Sequence, residues 1–383
     1  FSSEQPRFAA GKAAEWLRDL KQEQKSLARK LTEANNLVIL AGAEGLTLEG
    51  STALMQAAAN LLIESGHYGK PQNGLIGVYP GANAMGLHYT GFSPEAAQDI
   101  RSNPPKVLIV AQADLASDDP DVAEWLGKVE QIITLTLWPD DVANQAAVAM
   151  PVTSFIERDG SYTNGERRVQ RYYTAQGSMG ESEPAWRALS RLLERLNKSR
   201  VKQSAAAVML EMTQQIPAFS GSRYSELARV ERQIPEVGGD DLYYGGTAYK
   251  NTGGLGVQIA TAAEQGEAVA VGEVDIPKIV HHRGDLWIVP LTVLYNRAPD
   301  FQPSALERMA VRVPETYVEI NAADAEKLAL KDGEYVQVSI GNDTVRARAR
   351  VNHGAPKGAV LLPRHLSGEV TPLSLTQGSV TKI

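Results

Sequence analysis

Cysteine is absent from the 383 residues of the sequence. This absence excludes disulfides, cysteine nucleophiles, thiolate-bound zinc and cysteine-ligated iron–sulfur clusters within the chain. It says little about the compartment, because a chain without thiols fits either side of a membrane. Metal and redox sites built on thiolates are therefore excluded for these residues.

Long apolar runs and an excess of positive charge are also missing. No apolar run approaches the roughly 20 residues that span a bilayer, so we expect no direct membrane insertion. The formal net charge of -7 disfavours nucleic acid as the main partner, because phosphate binding requires a basic face. The sequence begins at Phe1 without a signal-like segment, and we expect it to be part of a longer polypeptide.

The length and the ordinary globular composition predict several domains. Residues 8–34, 184–196 and 201–214 carry apolar stripes at helical spacing. Residues 216–273 are rich in Gly, Tyr, Asn and Thr, which indicates a surface excursion; the loop at 243–256 contacts either its own domain or a partner. We divide the chain into an N-terminal helix, an α/β domain, a helical and Gly/Tyr-rich excursion, and a linker with a β-barrel, at residues 1–35, 36–200, 201–280 and 281–383.

Short apolar runs alternate with helical segments in the α/β region. The runs at 37–41, 107–111 and 131–137 have the length and two-sided apolar character of buried parallel strands. Helical patterns at 51–64 and 120–128 follow the first and second runs. We therefore predict βαβ units, with helices on both faces of a parallel sheet.

The last hundred residues show the alternation of β-strands. Asn321 is a candidate N-cap for a short helix, and residues 335–340 and 344–351 read as strands joined by a turn. In the second strand one face is apolar, and the other carries Arg346, Arg348 and Arg350. That arginine face is either solvated or an anionic contact to a neighbouring protein. The pattern predicts a compact barrel-like module.

Two glycine-containing turns are candidate ligand sites. Gly42 and Gly45 follow a buried strand, where backbone N–H groups can face a phosphate, although the G-x-G-x-x-G spacing is absent and a plain tight turn is the alternative. Residues 150–173 surround two further turns with charges, as a cofactor cradle, a protein interface or a solvated hairpin would. The six histidines show no metal-ligand spacing, and no G-x-S-x-G elbow is present. We therefore predict neither a metal site nor a catalytic residue.

Residues 150–170, MPVTSFIERDGSYTNGERRVQ, resemble a signature of molybdopterin-dependent oxidoreductases, and residues 317–363 resemble the terminal double-psi β-barrel of that superfamily. The order of the two stretches is also the family's. The resemblance implies a Rossmann-like parallel-sheet domain followed by the barrel. It makes the following residues candidates for a vestigial pterin site: Gly42, Gly45, Glu157, Asn164, Glu166, Arg168 and Gln170.

Residues 77–92 and 291–304 are similar to one branch of that superfamily, the large iron–sulfur subunit of bacterial respiratory complex I, NADH-quinone oxidoreductase. That branch implies a structural, cofactor-free part of the cytoplasmic peripheral arm. Its iron–sulfur clusters would lie upstream of Phe1, its partners would be other peripheral-arm subunits, and it would reach the membrane through the complex. Glu166-Arg167-Arg168 instead favours the alternative, a fragment of an active, formate dehydrogenase-like molybdopterin oxidoreductase. A free-standing interaction module is the third possibility.

Arg168 needs a counter-ion if no pterin is bound. Arginine does not lose its proton in proteins, and an unpaired buried charge is costly. We therefore expect a carboxylate of Glu157, Asp159 or Glu166 next to its guanidinium.

Overall fold

The computed structural model describes residues 4–43, 45–79, 81–113, 115, 119, 121–196, 200–227, 256–261, 264–278, 286–292, 315–364, 366, 371–372 and 374–383. Within these ranges the helices are α1 Ala13–Arg18, α2 Leu20–Glu23, α3 Lys25–Thr32, α4 Leu48–Glu64, α5 Ala84–Tyr89, α6 Pro94–Ser102, α7 Val122–Leu126, α8 Asp141–Gln145, α9 Ala185–Arg195, α10 Ala205–Gln215, α11 Tyr224–Leu227 and α12 Ala322–Lys327. The strands are β1 Val38–Gly42, β2 Gly74–Val78, β3 Val107–Ala111, β4 Gln131–Thr136, β5 Val148–Pro151, β6 Gly160–Thr163, β7 Arg168–Tyr172, β8 Val257–Gln258, β9 Leu286–Leu291, β10 Tyr317–Ile320, β11 Tyr335–Ile340, β12 Asp343–Val351, β13 Ala359–Pro363 and β14 Thr376–Lys382.

Two parallel sheets form the α/β region. Strand β1 pairs with β2, and β3, β4 and β5 form a second sheet in that order. All of these pairings are parallel, so the predicted α/β class is confirmed, but β1 lies in a different sheet from β3 and β4 instead of sharing one sheet with them. Strand β2 was not predicted, because its sequence GLIGV contains two glycines, which strands disfavour.

Helix α4 packs on the β1–β2 sheet through a face of small and branched apolar residues. It begins at Thr47, whose hydroxyl accepts a hydrogen bond from Gly50 N at 3.1 Å, as an N-cap does. Its buried residues are Ala53, Leu54, Ala57, Ala58, Leu61 and Leu62. The alanines in this set let the backbones approach closely, and the leucines fill the space beside them.

The single helix predicted at residues 8–34 is three short helices. The chain bends at Asp19 and at Gln24, between α1, α2 and α3. The apolar stripe predicted for residues 8–34 nevertheless packs inward at Leu20, which is fully buried against Ala28 and against Leu61 of α4. The helix predicted from residue 201 begins at Ala205, where Ser204 caps it.

The C-terminal region is a closed barrel of six strands in the order β10-β12-β11-β14-β9-β13. It mixes parallel pairs, such as β10–β12, with antiparallel pairs, such as β11–β12. The side chains of Val345, Ala347 and Ala349 are buried in its core, as their alternation predicts. Asn321 caps α12, accepting a hydrogen bond from Ala323 N at 3.0 Å. The predicted barrel is therefore confirmed.

A three-stranded antiparallel sheet, β6-β7-β8, carries the charged segment singled out in the sequence. Residues 243–255 of the Gly/Tyr-rich loop, residues 293–304 of the segment that resembles the complex I subunit, and Glu44 lie outside the described residues. Among the helices that the structure describes, none combines the length and apolar character needed to cross a membrane.

Candidate functional site

The β6–β7 hairpin lies at the carboxyl ends of both parallel sheets. At the β2 end, Thr163 N donates to Asn83 Oδ1 at 2.8 Å. The backbones of Gly165 and Gly77 approach so closely that a Cβ on Gly165 would lie 2.7 Å from Gly77 O. At the β3 end, Arg158 Nη1 donates to Gln112 Oε1. Carboxyl ends of parallel strands are where open α/β sheets bind ligands.

Asn164 holds the hairpin turn through its side-chain oxygen. Asn164 Oδ1 accepts from Glu166 N at 3.0 Å and from Arg168 N at 2.9 Å. These bonds stabilise a turn in which Arg167 has φ 64°, a backbone conformation that residues other than glycine rarely adopt. The side-chain amide of Asn164 therefore stabilises the turn through hydrogen bonds to its own backbone, with no ligand required.

Glu157 is held by a capping box at the entry to the hairpin. Its Oε2 accepts from Ser154 N at 2.9 Å and Ser154 Oγ at 3.0 Å, and its Oε1 accepts from Met179 N at 3.0 Å. The hydrogen bond from Ser154 N is the main cause of a lowered Glu157 pKa, and those from Ser154 Oγ and Met179 N add to it. The carboxylate is thus ionised and fully engaged in shaping the loop.

The expected ion pair of Arg168 with Glu157 or Asp159 is not formed. Asp159 Oδ2 accepts from Arg171 Nη2 at 2.8 Å instead, and Asp159 Oδ1 accepts from Thr174 N at 3.3 Å. The Arg171 guanidinium lies between the rings of Tyr173 and Tyr224, 4.2 and 4.6 Å from their centroids. Register decides the pairing, because Arg171 lies opposite Ser161 near the open end of the hairpin, whereas Arg168 lies at its turn.

Tyr224, whose ring contacts the Arg171 guanidinium, is a buried tyrosine. The side chain is buried on α11, and this burial raises the pKa of Tyr224 to about 12. The phenol therefore stays protonated at neutral pH. Beside it, Tyr162 and Tyr172 stack across the hairpin with ring centroids 4.6 Å apart. These aromatic contacts fix the open end of the hairpin against the α10–α11 region.

The turn after β1 faces the barrel. Gly45 has φ +79°, and a Cβ there would lie 3.3 Å from Pro290 O of β9. Leu375 N also donates to Gly45 O. Beside this contact lies a cavity of about 460 Å³, within the size range of small-molecule sites. Its lining residues are Gly11, Leu46, Thr47, Gly50, Pro277, Lys278, Trp287, Gly341, Leu375, Thr376 and Gln377.

The structure does not bring the candidate residues to one pocket: none of them lines the cavity beside the β1–α4 turn, and Asn164 lines a second cavity, beside Gly77 and Gly165. Gly42 ends β1 in register with Val78, next to the Gly77–Gly165 contact. Glu166 and Gln170 are exposed.

Two pairs of residues were not identified from the sequence: Gln112 and Thr153, which are hydrogen-bonded at the end of β3, and Lys278 and Trp287, which line the cavity. Gln112 could have been identified, because it directly follows the apolar run at residues 107–111. Thr153 lies within the signature at residues 150–170 but was not among its candidate residues, whereas Lys278 and Trp287 stand in no motif.

Two family models match the chain in the same order as these structural parts. Residues 6–195, which contain the parallel sheets and the hairpin, match the family "Molybdopterin oxidoreductase". Residues 301–382, which contain most of the barrel, match the "Molydopterin dinucleotide binding domain". The chain belongs to the molybdopterin oxidoreductase superfamily.

Two of the curated relatives are alpha subunits of oxidoreductases. The chain is 24% identical over 359 residues to the F420-dependent formate dehydrogenase 2 subunit alpha of Methanococcus maripaludis, covering 83% of the chain and 52% of the relative. It is also 24% identical over 393 residues to the NADPH-Fe(3+) oxidoreductase subunit alpha of Geobacter sulfurreducens, covering 94% of the chain and 42% of the relative. The chain thus spans about half the length, or less, of these relatives.

A solved structure supports the fold of this superfamily member. Acetylene hydratase from Pelobacter acetylenicus superposes with a TM-score of 0.53 and 12% sequence identity, covering 88% of this chain and 59% of the other. At this identity the likeness concerns the fold alone.

The comparisons correct two predictions made from the sequence. A cofactor-free structural part of complex I is the wrong interpretation, because the relatives include three F420-dependent formate dehydrogenase alpha subunits and a putative formate dehydrogenase. The prediction that the chain carries no cofactor is also wrong, because both matched families are molybdopterin families. Both errors came from the similarity of residues 77–92 and 291–304 to the complex I branch, which made the hairpin signature a vestigial site.

The cavity beside the β1–α4 turn fits part of such a cofactor. A pterin dinucleotide combines flat heterocycles with phosphate groups. The cavity offers Trp287 for a ring, and Lys278 together with the hydroxyls of Thr47 and Thr376 for anionic and polar atoms. Gly50 leaves the floor of the cavity open, since a side chain there would extend towards Pro277. These residues would hold one end of the group between the α/β region and the barrel.

Proposed function

We propose that this chain supplies the molybdopterin dinucleotide-binding region of a formate dehydrogenase-like oxidoreductase subunit. The main support is the cavity between the β1–α4 turn and the barrel, which lies between the parts matched by the two cofactor families. Several relatives with formate dehydrogenase in their names support the substrate class. When bound, the cofactor supplies the redox chemistry. The residues of this chain bind it and orient it.

Cofactor retention tests this proposal without relying on activity. The chain is purified from a host that makes molybdopterin, and pterin released by denaturation is quantified by fluorescence alongside molybdenum by mass spectrometry. We expect pterin in stoichiometric amount. A chain that is folded by circular dichroism, yet repeatedly free of pterin, would contradict the proposal.

A pair of variants on α4 links retention to the cavity. Gly50 lines the cavity, whereas Thr52 is exposed on the same helix and does not line it. Gly50→Leu places a large side chain in the cavity, so we expect it to remove most of the bound pterin. Thr52→Leu adds the same side chain away from the cavity and is expected to retain pterin as the wild type does. Equal retention by both variants would place the cofactor elsewhere.

The absence of a nucleic-acid partner and an indirect association with the membrane both stay predictions. Among the relatives, three names include F420 and two include NADPH and Fe(3+). These names differ in electron carrier, and we make no assignment of a carrier to this chain.

A further inference from the structure

The outer face of β12 carries three arginines at alternate positions, Arg346, Arg348 and Arg350. Arg346 and Arg350 are exposed, and Arg348 is half-buried. The side chains of Ala347 and Ala349 between them are buried in the barrel core, so the three guanidiniums share the outer face. Alternate residues of a strand lie about 6.6 Å apart. The barrel therefore carries positive charge at a regular repeat along β12.

Tyrosine rings of the two neighbouring strands contact these guanidiniums. Arg346 Cζ and Arg348 Cζ lie 4.5 and 4.3 Å from the centroid of the Tyr335 ring of β11. Arg350 Cζ lies 3.5 Å from the centroid of the Tyr317 ring of β10. Side chains that are already ordered lose less entropy when a partner binds. We call these three arginines and two tyrosines the arginine face, and we regard it as preorganised for anionic groups.

Carboxylates balance only part of the charge on the arginine face. Glu315, which precedes β10, forms a salt bridge with Arg348. Within the described strands β10 and β11, the single outward-facing carboxylate is that of Glu319, which pairs in register with Arg350. Three arginines thus lie beside two carboxylates, in a chain whose formal net charge is -7. The arginine face is locally positive on an acidic protein, and a partner that presents carboxylates is complementary to it.

We propose that the arginine face binds an extended acidic segment of a partner polypeptide, with carboxylates at alternate positions. An extended segment repeats its side chains on one side at the same spacing as β12, so successive carboxylates meet successive arginines. The barrel is closed, and β12 already has a neighbouring strand on each side. Recognition therefore occurs through side chains and not through the addition of a strand.

A nucleic acid also presents negative charges at regular spacing, but the arginine face suits it less well. The rings of Tyr317 and Tyr335 are in contact with guanidiniums, so they are not open platforms on which bases stack. The negative net charge of the chain also opposes the approach of a long polyanion. The arginine face shares no residue with the lining of the β1–α4 cavity. Its test is therefore independent of the test for the cofactor.

Two fluorescent peptides as long as β12 test the arginine face. Both contain the same numbers of Glu and Thr, but in one peptide the two residues alternate, and in the other all Glu residues are at one end. Binding to the full chain is measured by fluorescence anisotropy at low ionic strength, because salt screens exposed charges. We expect the alternating peptide to bind more tightly than the grouped peptide and more tightly than a single-stranded oligothymidine. The proposal is overturned if the alternating peptide does not bind, if the grouped peptide binds equally well, or if the oligothymidine binds more tightly.

Paired double variants locate the binding. Arg346→Gln with Arg350→Gln removes two exposed charges from the arginine face, and it should weaken binding of the alternating peptide by about threefold to thirtyfold, the range for two exposed ion pairs. Arg29→Gln with Arg195→Gln removes the same charge from exposed sites on α3 and α9 and should bind as the wild type does. Equal weakening in both double variants would show an effect of net charge alone and would also overturn the proposal. Circular dichroism checks that each variant is folded, and Arg350→Gln alone gives the same test, with a smaller loss, if the first double variant unfolds.

Discussion

Removing the side-chain amide of Asn164 should loosen the hairpin that bridges the two parallel sheets. Asn164→Ala deletes the hydrogen bonds from Glu166 N and Arg168 N, at 3.0 and 2.9 Å. Each such bond contributes about 0.5–1.5 kcal/mol, so the variant should lose about 1–3 kcal/mol of stability. Since Arg167 has φ 64°, the turn also contains backbone strain that these bonds offset.

Hydrogen exchange measures this effect at the turn itself. In the wild type the amides of Glu166 and Arg168 should be protected, and in Asn164→Ala both should exchange about tenfold to a hundredfold faster, the rate change that corresponds to the lost bonds. Urea unfolding gives the accompanying change in stability. Asn164→Asp retains an acceptor oxygen and serves as the control, with protection close to the wild type. Unchanged protection of both amides in Asn164→Ala would refute the role assigned to the side chain.

Three further substitutions test contacts around the site. Arg171→Leu removes the ion pair with Asp159 and two aromatic contacts; it should cost about 1–3 kcal/mol in urea unfolding, and a loss below about 0.5 kcal/mol, as at an ordinary surface site, would contradict this. Asp119→Ala leaves the buried indole N–H of Trp125 without its acceptor at 3.0 Å; the expected loss is about 1–3 kcal/mol, with a smaller loss for the asparagine variant as the check. Glu157 has a lowered pKa when folded, so its contribution is present above the unfolded value of about 4.3 and is lost as pH falls through the folded value. Glu157→Gln should therefore be less stable than wild type at pH 7, and this difference should shrink in unfolding experiments below about pH 4; a constant difference would count against the assignment.

Local sequence patterns determined the elements whose formation depends on near neighbours. The apolar runs at β1, β3 and β4 identify parallel strands wherever the partners lie. Their two-sided burial is not observed at β1 and β3, where Leu40 and Val107 are exposed. Alternation along β12 places Val345, Ala347 and Ala349 inside the barrel, and Asn321 caps α12 through an amide two residues away. The cap depends on an interaction between residues close in the sequence. The strands need only an apolar surface to pack against, whichever element supplies it.

The sequence did not determine whether a cofactor is bound. Glu157 and Asn164 belong to the superfamily signature, but their side chains accept hydrogen bonds from backbone groups of the same loop. Such bonds stabilise the loop with or without a ligand. The signature therefore identifies the superfamily. It does not indicate whether the site is vestigial or binds a cofactor.

Only the tertiary structure decided which of several equivalent partners each group takes. Arginines and carboxylates lie close together in the charged segment, and Asp159 pairs with Arg171 because strand register brings the two together. Gln112 and Arg158 are far apart in sequence and meet because the hairpin lies across the end of β3. Gly45 meets Pro290 only after the barrel packs on the β1–α4 turn. Composition and spacing do not distinguish between the possible pairings of these side chains. Long-range packing selects one pairing, because it fixes where each backbone segment lies.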